Sequence, residues 1–96
     1  MIRHIVLLKW KADTTPEQRA AVLERLQTLP PAIPELRSYT LEENIGTDPG
    51  NFDLAIIAEV DDLAAYAAYR DHPLHQAVIH ESIRPNLEAR AALQVR

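Results

Sequence analysis

The segment Tyr66-Ala67-Ala68-Tyr69-Arg70-Asp71-His72-Pro73-Leu74-His75 holds two of the chain's three tyrosines and two of its four histidines. Tyr and His are the side chains best able to donate, accept or move a proton near neutral pH. His4 lies at the other end of the chain, within the apolar run Ile2-Arg3-His4-Ile5-Val6-Leu7-Leu8. If the fold lays that strand beneath the helix bearing His72 and His75, the imidazoles meet in one cleft. A buried neutral His4 facing such a cleft can serve as a general base, since burial lowers its pKa. Tyr69, one helical turn before Pro73, is placed to hydrogen-bond a ligand oxygen or to orient His75. Tyr69, His72 and Trp10 form the set of candidate ligand contacts.

Each residue also has a plainer reading. His4 among aliphatic neighbours fits a core histidine satisfied by a nearby carbonyl or hydroxyl. His72, before Pro73, fits a cap that pins a helix junction. Tyr66 fits core packing with its hydroxyl at the rim. A metal held by His72 and His75, with Glu81 or Asp71, is the sharper alternative. Two histidines with no paired carboxylate motif are a weak metal signal, so no metal is expected. His80 and Glu81 read as solvated helix residues, Asp61-Asp62 as a helix cap, and Glu42-Glu43 as a solvated strand edge. Asp48-Pro49-Gly50 is a turn and lacks the glycine content of a phosphate loop. No Ser-His-Asp order or nucleophile elbow occurs.

The elements that must position these groups follow from periodicity. Ile2 to Trp10 reads as a first strand, with Ile2, His4, Val6, Leu8 and Trp10 on one face and Ile5 and Leu7 on the other. Thr15 caps a helix opened by Pro16, with Gln18 closing a capping box. Val22, Leu23, Leu26 and Leu29 form its apolar stripe, and Pro30, Pro31 and Pro34 are expected to end it. Leu36 to Ile45 and Phe52 to Val60 read as a hairpin joined by the turn Gly46-Thr47-Asp48-Pro49-Gly50-Asn51. Asp61 or Asp62 caps a helix to about Asp71, Pro73 opens another piece through Val78, Ile79 and Ile83, and Ala89 to Val95 forms a last strand.

Strand, helix, strand, strand, helix, strand is the order of a ferredoxin-like α+β domain: a four-stranded antiparallel sheet with helices on one face. The first and third strands, however, are apolar on both faces. A second copy is the simplest cover for the far side, so a homodimer through the sheet face is expected, its two sheets enclosing a dimeric α/β barrel.

Composition agrees. The chain has 96 residues, which suits one domain spanning 1–96, and 47% of them are hydrophobic. Net charge is −4 with no basic run, which argues against nucleic-acid binding and against anionic membrane surfaces. Zero cysteines exclude disulfides, thiolate metal sites and Cys nucleophiles. The N-terminal run is short and reads as a strand rather than a leader or a span, so a cytoplasmic location is expected.

Met1-Ile2-Arg3-His4-Ile5-Val6-Leu7-Leu8-Lys9-Trp10, Asn51-Phe52-Asp53-Leu54-Ala55 and Tyr69-Arg70-Asp71-His72-Pro73-Leu74-His75-Gln76 together resemble the stress-responsive dimeric A/B barrel (Dabb) family. The resemblance spans essentially the whole chain, and His-Pro-x-His is its most specific part. It implies a ferredoxin-like protomer and a homodimer with a central barrel. Many members have no defined activity. Similar plant members include a polyketide cyclase that closes a ring by intramolecular aldol condensation. Carried over, its acid–base pair falls on His4 and His75, and a pocket tyrosine falls on Tyr69. Some relatives hold magnesium through backbone carbonyls after the first helix, which here is the Leu29–Leu36 segment; no cofactor is otherwise implied. Two functional classes follow. One is a small enzyme or binder acting on a hydrophobic, carbonyl-bearing molecule; the other is a non-catalytic stress-associated dimer whose histidines only fill the cleft.

Overall fold

The computed structural model describes residues 1–46 and 48–96, so Thr47 of the expected Gly46–Asn51 turn lies outside the described residues. In chain order the elements are β1 (Ile2–Trp10), α1 (Pro16–Leu26), α2 (Leu29–Ala32), β2 (Ser38–Glu43), β3 (Leu54–Val60), α3 (Leu63–Asp71), α4 (Pro73–Val78) and β4 (Leu87–Val95). A π-helical turn over Ile79–Ile83 and a 3₁₀ turn over Arg84–Asn86 join α4 to β4. The sheet order is β2-β3-β1-β4, with every neighbouring pair antiparallel. This is the ferredoxin-like α+β fold that the order of elements predicts.

Alternation along β1 decides what the helices cover. Ile2, His4, Val6, Leu8 and Trp10 are buried, while Ile5, Leu7 and Lys9 are only partly so. The same alternation runs along β3, where Leu54, Ile56, Ala58 and Val60 are buried. Val22, Leu26, Leu29, Ile33, Val78 and Ile83 pack onto that face from the helical layer. A fully buried aliphatic side chain contributes roughly 1.5–3 kcal/mol relative to exposure, so this stripe holds the helices to the sheet. Across the sheet His4 stands opposite Ala58 and Gln94, and Leu8 opposite Leu54 and Arg90.

Local signals act as expected at several ends. Thr15 accepts from the Gln18 amide (3.1 Å) while Gln18 Oε1 accepts from the Thr15 amide (2.8 Å), closing the capping box. Asp62, not Asp61, caps α3 by accepting from the Ala65 amide at 2.8 Å. Asp61 instead pairs with Arg37 at 2.8 Å. The chain's two glycines, Gly46 and Gly50, both take positive φ (82° and 88°) in the hairpin loop, where a side chain would be strained. Asp53 locks the return of that loop: its amide donates to the Leu8 carbonyl and its Oδ2 accepts from the Trp10 amide, each at 2.8 Å.

Elsewhere the structure departs from the expectation. α1 ends at Leu26, and Pro30 and Pro31 do not stop it; they sit inside α2, where first-turn positions need no amide donor. β2 and β3 are shorter than their apolar text, leaving Leu36, Ile45 and Phe52 outside the ladder. β4 begins earlier, at Leu87. Glu81 is not merely solvated but pairs with Arg25 at 3.2 Å.

Candidate functional site

α3 and α4 are one helical path broken at His72, whose backbone (φ −58°, ψ 132°) is extended as the residue before proline requires. The His72 Nδ1 accepts from the Leu74 amide at 3.1 Å and so caps α4. A helix that ends leaves carbonyls without intrahelical partners. Here the freed carbonyl of Arg70 accepts from His75 Nδ1 at 2.9 Å and from Gln76 Nε2 at 2.6 Å. The break therefore turns His75 back against α3, where its ring stacks on Tyr69 with centroids 4.3 Å apart and planes 27° from parallel.

That hydrogen bond fixes the chemistry of the His75 imidazole. A carbonyl only accepts, so Nδ1 carries the proton and Nε2 keeps its lone pair as the free base. Burial, the largest cause, holds the His75 pKa below its ordinary value of 6.5, and the bonds to the Arg70 and Tyr69 backbone oppose this only in part. His4 is 7% exposed and likewise held low by burial, then by Arg90 and His75. Its Nδ1 is buried without a hydrogen-bond partner among the described residues. An unsatisfied buried nitrogen is uncommon and marks a place where a water or ligand atom can bond.

His4 and His75 line the same cavity, of about 360 Å³, between the sheet and the α3–α4 region. Aromatic rings connect them. Tyr66 lies 5.0 Å from His4 and 6.5 Å from Tyr69, and Tyr39 meets Tyr69 edge-on at 6.3 Å. Val6, Leu8, Ile56 and Ile79 supply apolar walls. Burial pushes the Tyr69 phenol up to about 12, so it stays protonated and can donate. Burial likewise raises Tyr39, whose hydroxyl has no partner of good geometry although Tyr69 is its phenolic neighbour.

The structure thus brings together His4, Tyr69 and His75. It does not bring His72 or Trp10 to them. His72 spends its Nδ1 on the α4 cap and does not line the cavity, and Trp10 lines a separate groove with Arg19, Glu43 and Asp53 at the far end of β1. Among the lining residues with no such reading from sequence are Tyr66 and Arg90. Tyr66 shares a helical face with Tyr69, which makes it look like simple core. Arg90 reaches the cavity only through the β1–β4 register. Among the described residues no group of three His, Asp or Glu side chains is arranged to hold a metal ion. In the 29–36 segment the Leu29 and Ile33 carbonyls already accept from the Ile33 and Leu36 amides.

Fold and cavity together define a ferredoxin-like protein with a largely apolar pocket that histidines and tyrosines line. The profile of the stress responsive A/B barrel domain matches residues 2–95, and the chain belongs to that family. It is 35% identical over 79 residues to an uncharacterized protein of Streptomyces coelicolor, covering 80% of this chain and 81% of that one. A dimeric ferredoxin-like protein of unknown function from Thermobifida fusca superposes with a TM-score of 0.89 at 41% identity, covering 98% of this chain and 88% of that one. A hydroxynitrile lyase from Passiflora edulis shares the fold at a TM-score of 0.85 and 19% identity, covering 98% of this chain and 90% of that one. Among the described residues no helix is long and apolar enough to cross a membrane.

Proposed function

We propose that this protein works as a homodimer whose cavity takes a small, mainly apolar, carbonyl-bearing molecule, with His75 and His4 as its proton-transfer groups. The observation that carries the reading is the Nδ1–H bond from His75 to the Arg70 carbonyl, which leaves Nε2 unprotonated in a tyrosine-lined, largely apolar cavity. A base so fixed can remove a proton alpha to a ligand carbonyl: the C–H bond breaks, the proton passes to Nε2, and the electron pair moves to the carbonyl oxygen. Tyr69, kept protonated, is a suitable donor to the enolate oxygen, and His4 to a second oxygen or a water. The dimer is supported by the partly bare apolar sheet face and by the dimeric Thermobifida fusca neighbour.

Proton NMR in D₂O with 4-phenylbutan-2-one as the probe tests both halves. The wild type should bind the ketone and speed deuterium exchange at its alpha carbons. His75→Ala should keep binding within a few-fold while exchange falls to the buffer rate. Binding with no exchange in the wild type would leave a binder without chemistry, and absence of binding would sink the reading altogether and leave the non-catalytic dimer whose histidines only fill the cleft.

A further inference from the structure

The charged side chains lining the cavity are all of one sign. Arg70, Arg84 and Arg90 are there with the two histidines, and no Asp or Glu is, although the chain as a whole has 14 acidic and 10 basic residues. Arg70 is neutralised by Asp71 at 2.9 Å and lies 5.7 Å over the Tyr66 ring. Arg84 donates to His80 at 3.1 Å. Arg90 makes no ion pair and no side-chain hydrogen bond among the described residues. Its place is fixed by backbone: the register opposes it to Leu8, which puts it on the helix-facing side of the edge strand β4, in the same column of the sheet face as the cavity floor.

We infer that the ligand is an anion, an apolar carboxylate that also carries a ketone, and that Arg90 is the residue that holds the carboxylate. This rests on the ligand reading above and narrows it to a substrate class. A guanidinium can bind a carboxylate through two parallel N–H bonds, and Arg90 lines the cavity while remaining exposed, open to a ligand's charged end. The remaining polar groups then fall into order along one molecule. The carboxylate sits at Arg90 on β4, the apolar body lies against Val6, Ile56 and Ile79, and the ketone reaches Tyr69 and His75. The field of Arg90 reaches all three proton-handling groups: behind burial, it helps hold His4 and His75 low and opposes the rise of Tyr69. A bound carboxylate would cancel that field and make His75 a stronger base only when the correct ligand is present.

Two probes of one shape, 3-phenylpropanoate and 4-phenylbutan-2-one, separate the charge from the body when titrated by calorimetry at low salt. The carboxylate should bind about tenfold tighter than the ketone, the effect of one charge-assisted pair. Arg90→Gln should abolish that preference while leaving ketone affinity and the melting temperature in place, and Arg90→Lys should restore part of it. Arg19→Gln, which removes the same charge outside this cavity, should leave the ratio unchanged. Equal affinities in the wild type, or a preference that survives Arg90→Gln, overturn the assignment while the cavity reading stands. If neither probe binds, both fall.

Discussion

His4 and His75 face one cavity with opposite hydrogen-bonding states: His75 has spent one nitrogen on a carbonyl, and His4 has an interior nitrogen still unspent. Both are held below the ordinary 6.5, so as the pH falls the unfolded chain takes up protons before the folded one. The linkage sign follows: their contribution is fully present above 6.5 and is lost as the pH drops below it toward the lower folded-state values. Urea midpoints should therefore hold steady from pH 8 to 7 and decline by pH 5.5, above the range where carboxylates titrate, and His4→Leu should flatten part of that slope. Tyr69→Phe keeps the ring stacked on His75 but removes the donor. It should slow alpha-proton exchange by on the order of 10²-fold, with stability changed by about 1 kcal/mol. The meeting of His4, Tyr69 and His75 was legible because residue type and strand face are both written locally. Arg90 was not, because its side of the sheet depends on a pairing register set by partners far away in sequence.

Among the elements, the α3–α4 break is what sets His75 against Tyr69 at the cavity, and His72 pins it by capping α4. His72→Ala should lose the cap on α4 and cost about 1 kcal/mol, while His72→Asn, whose side-chain oxygen can accept from the same amide, should recover most of it. Ligand affinity of the Asn variant should match the wild type in calorimetry; a large loss would return His72 to the list of ligand contacts. Capping boxes, the Pro73 break and the alternation of β1 and β3 are short-range signals, and each was readable. α2 and the π turn over Ile79–Ile83 were not. Prolines stop a helix interior but suit a first turn, and nothing in the text of Leu29–Ala32 says which applies. A π turn differs from an α turn only by one residue of hydrogen-bond register, and here Ile79 and Ile83, at its two ends, both pack against the core.

Over the whole molecule, one sheet face is covered and the other is not. Ile5, Leu7, Ala55 and Ile57 are only partly buried there, and Leu93 is 60% exposed. Ile57→Asp should convert the proposed dimer to monomer or unfold it, read by sedimentation velocity alongside far-UV circular dichroism. A wild-type protein that sediments as a stable monomer would remove the dimer from the proposal. The bare face was foreseeable from sequence because two strands carry apolar text on both sides, more than one layer of helices can bury. The cavity's size and its one-signed charge were not, since both emerge from which side chains the long-range pairing leaves pointing inward.

The strand order has a consequence in time. β1 is made before the other three strands of this sheet, yet it lies inside the sheet, and one of its two neighbours is β4, the last of the four in chain order. β1 must therefore wait, unpaired on one edge, until β4 has been synthesised. Pairing partners so distant in sequence make for slow closure and a long exposure to wrong contacts. His4 travels with that waiting strand, so the cavity cannot be completed before β4 is in place: until then a nascent chain lacks both Arg90 and the second edge of β1.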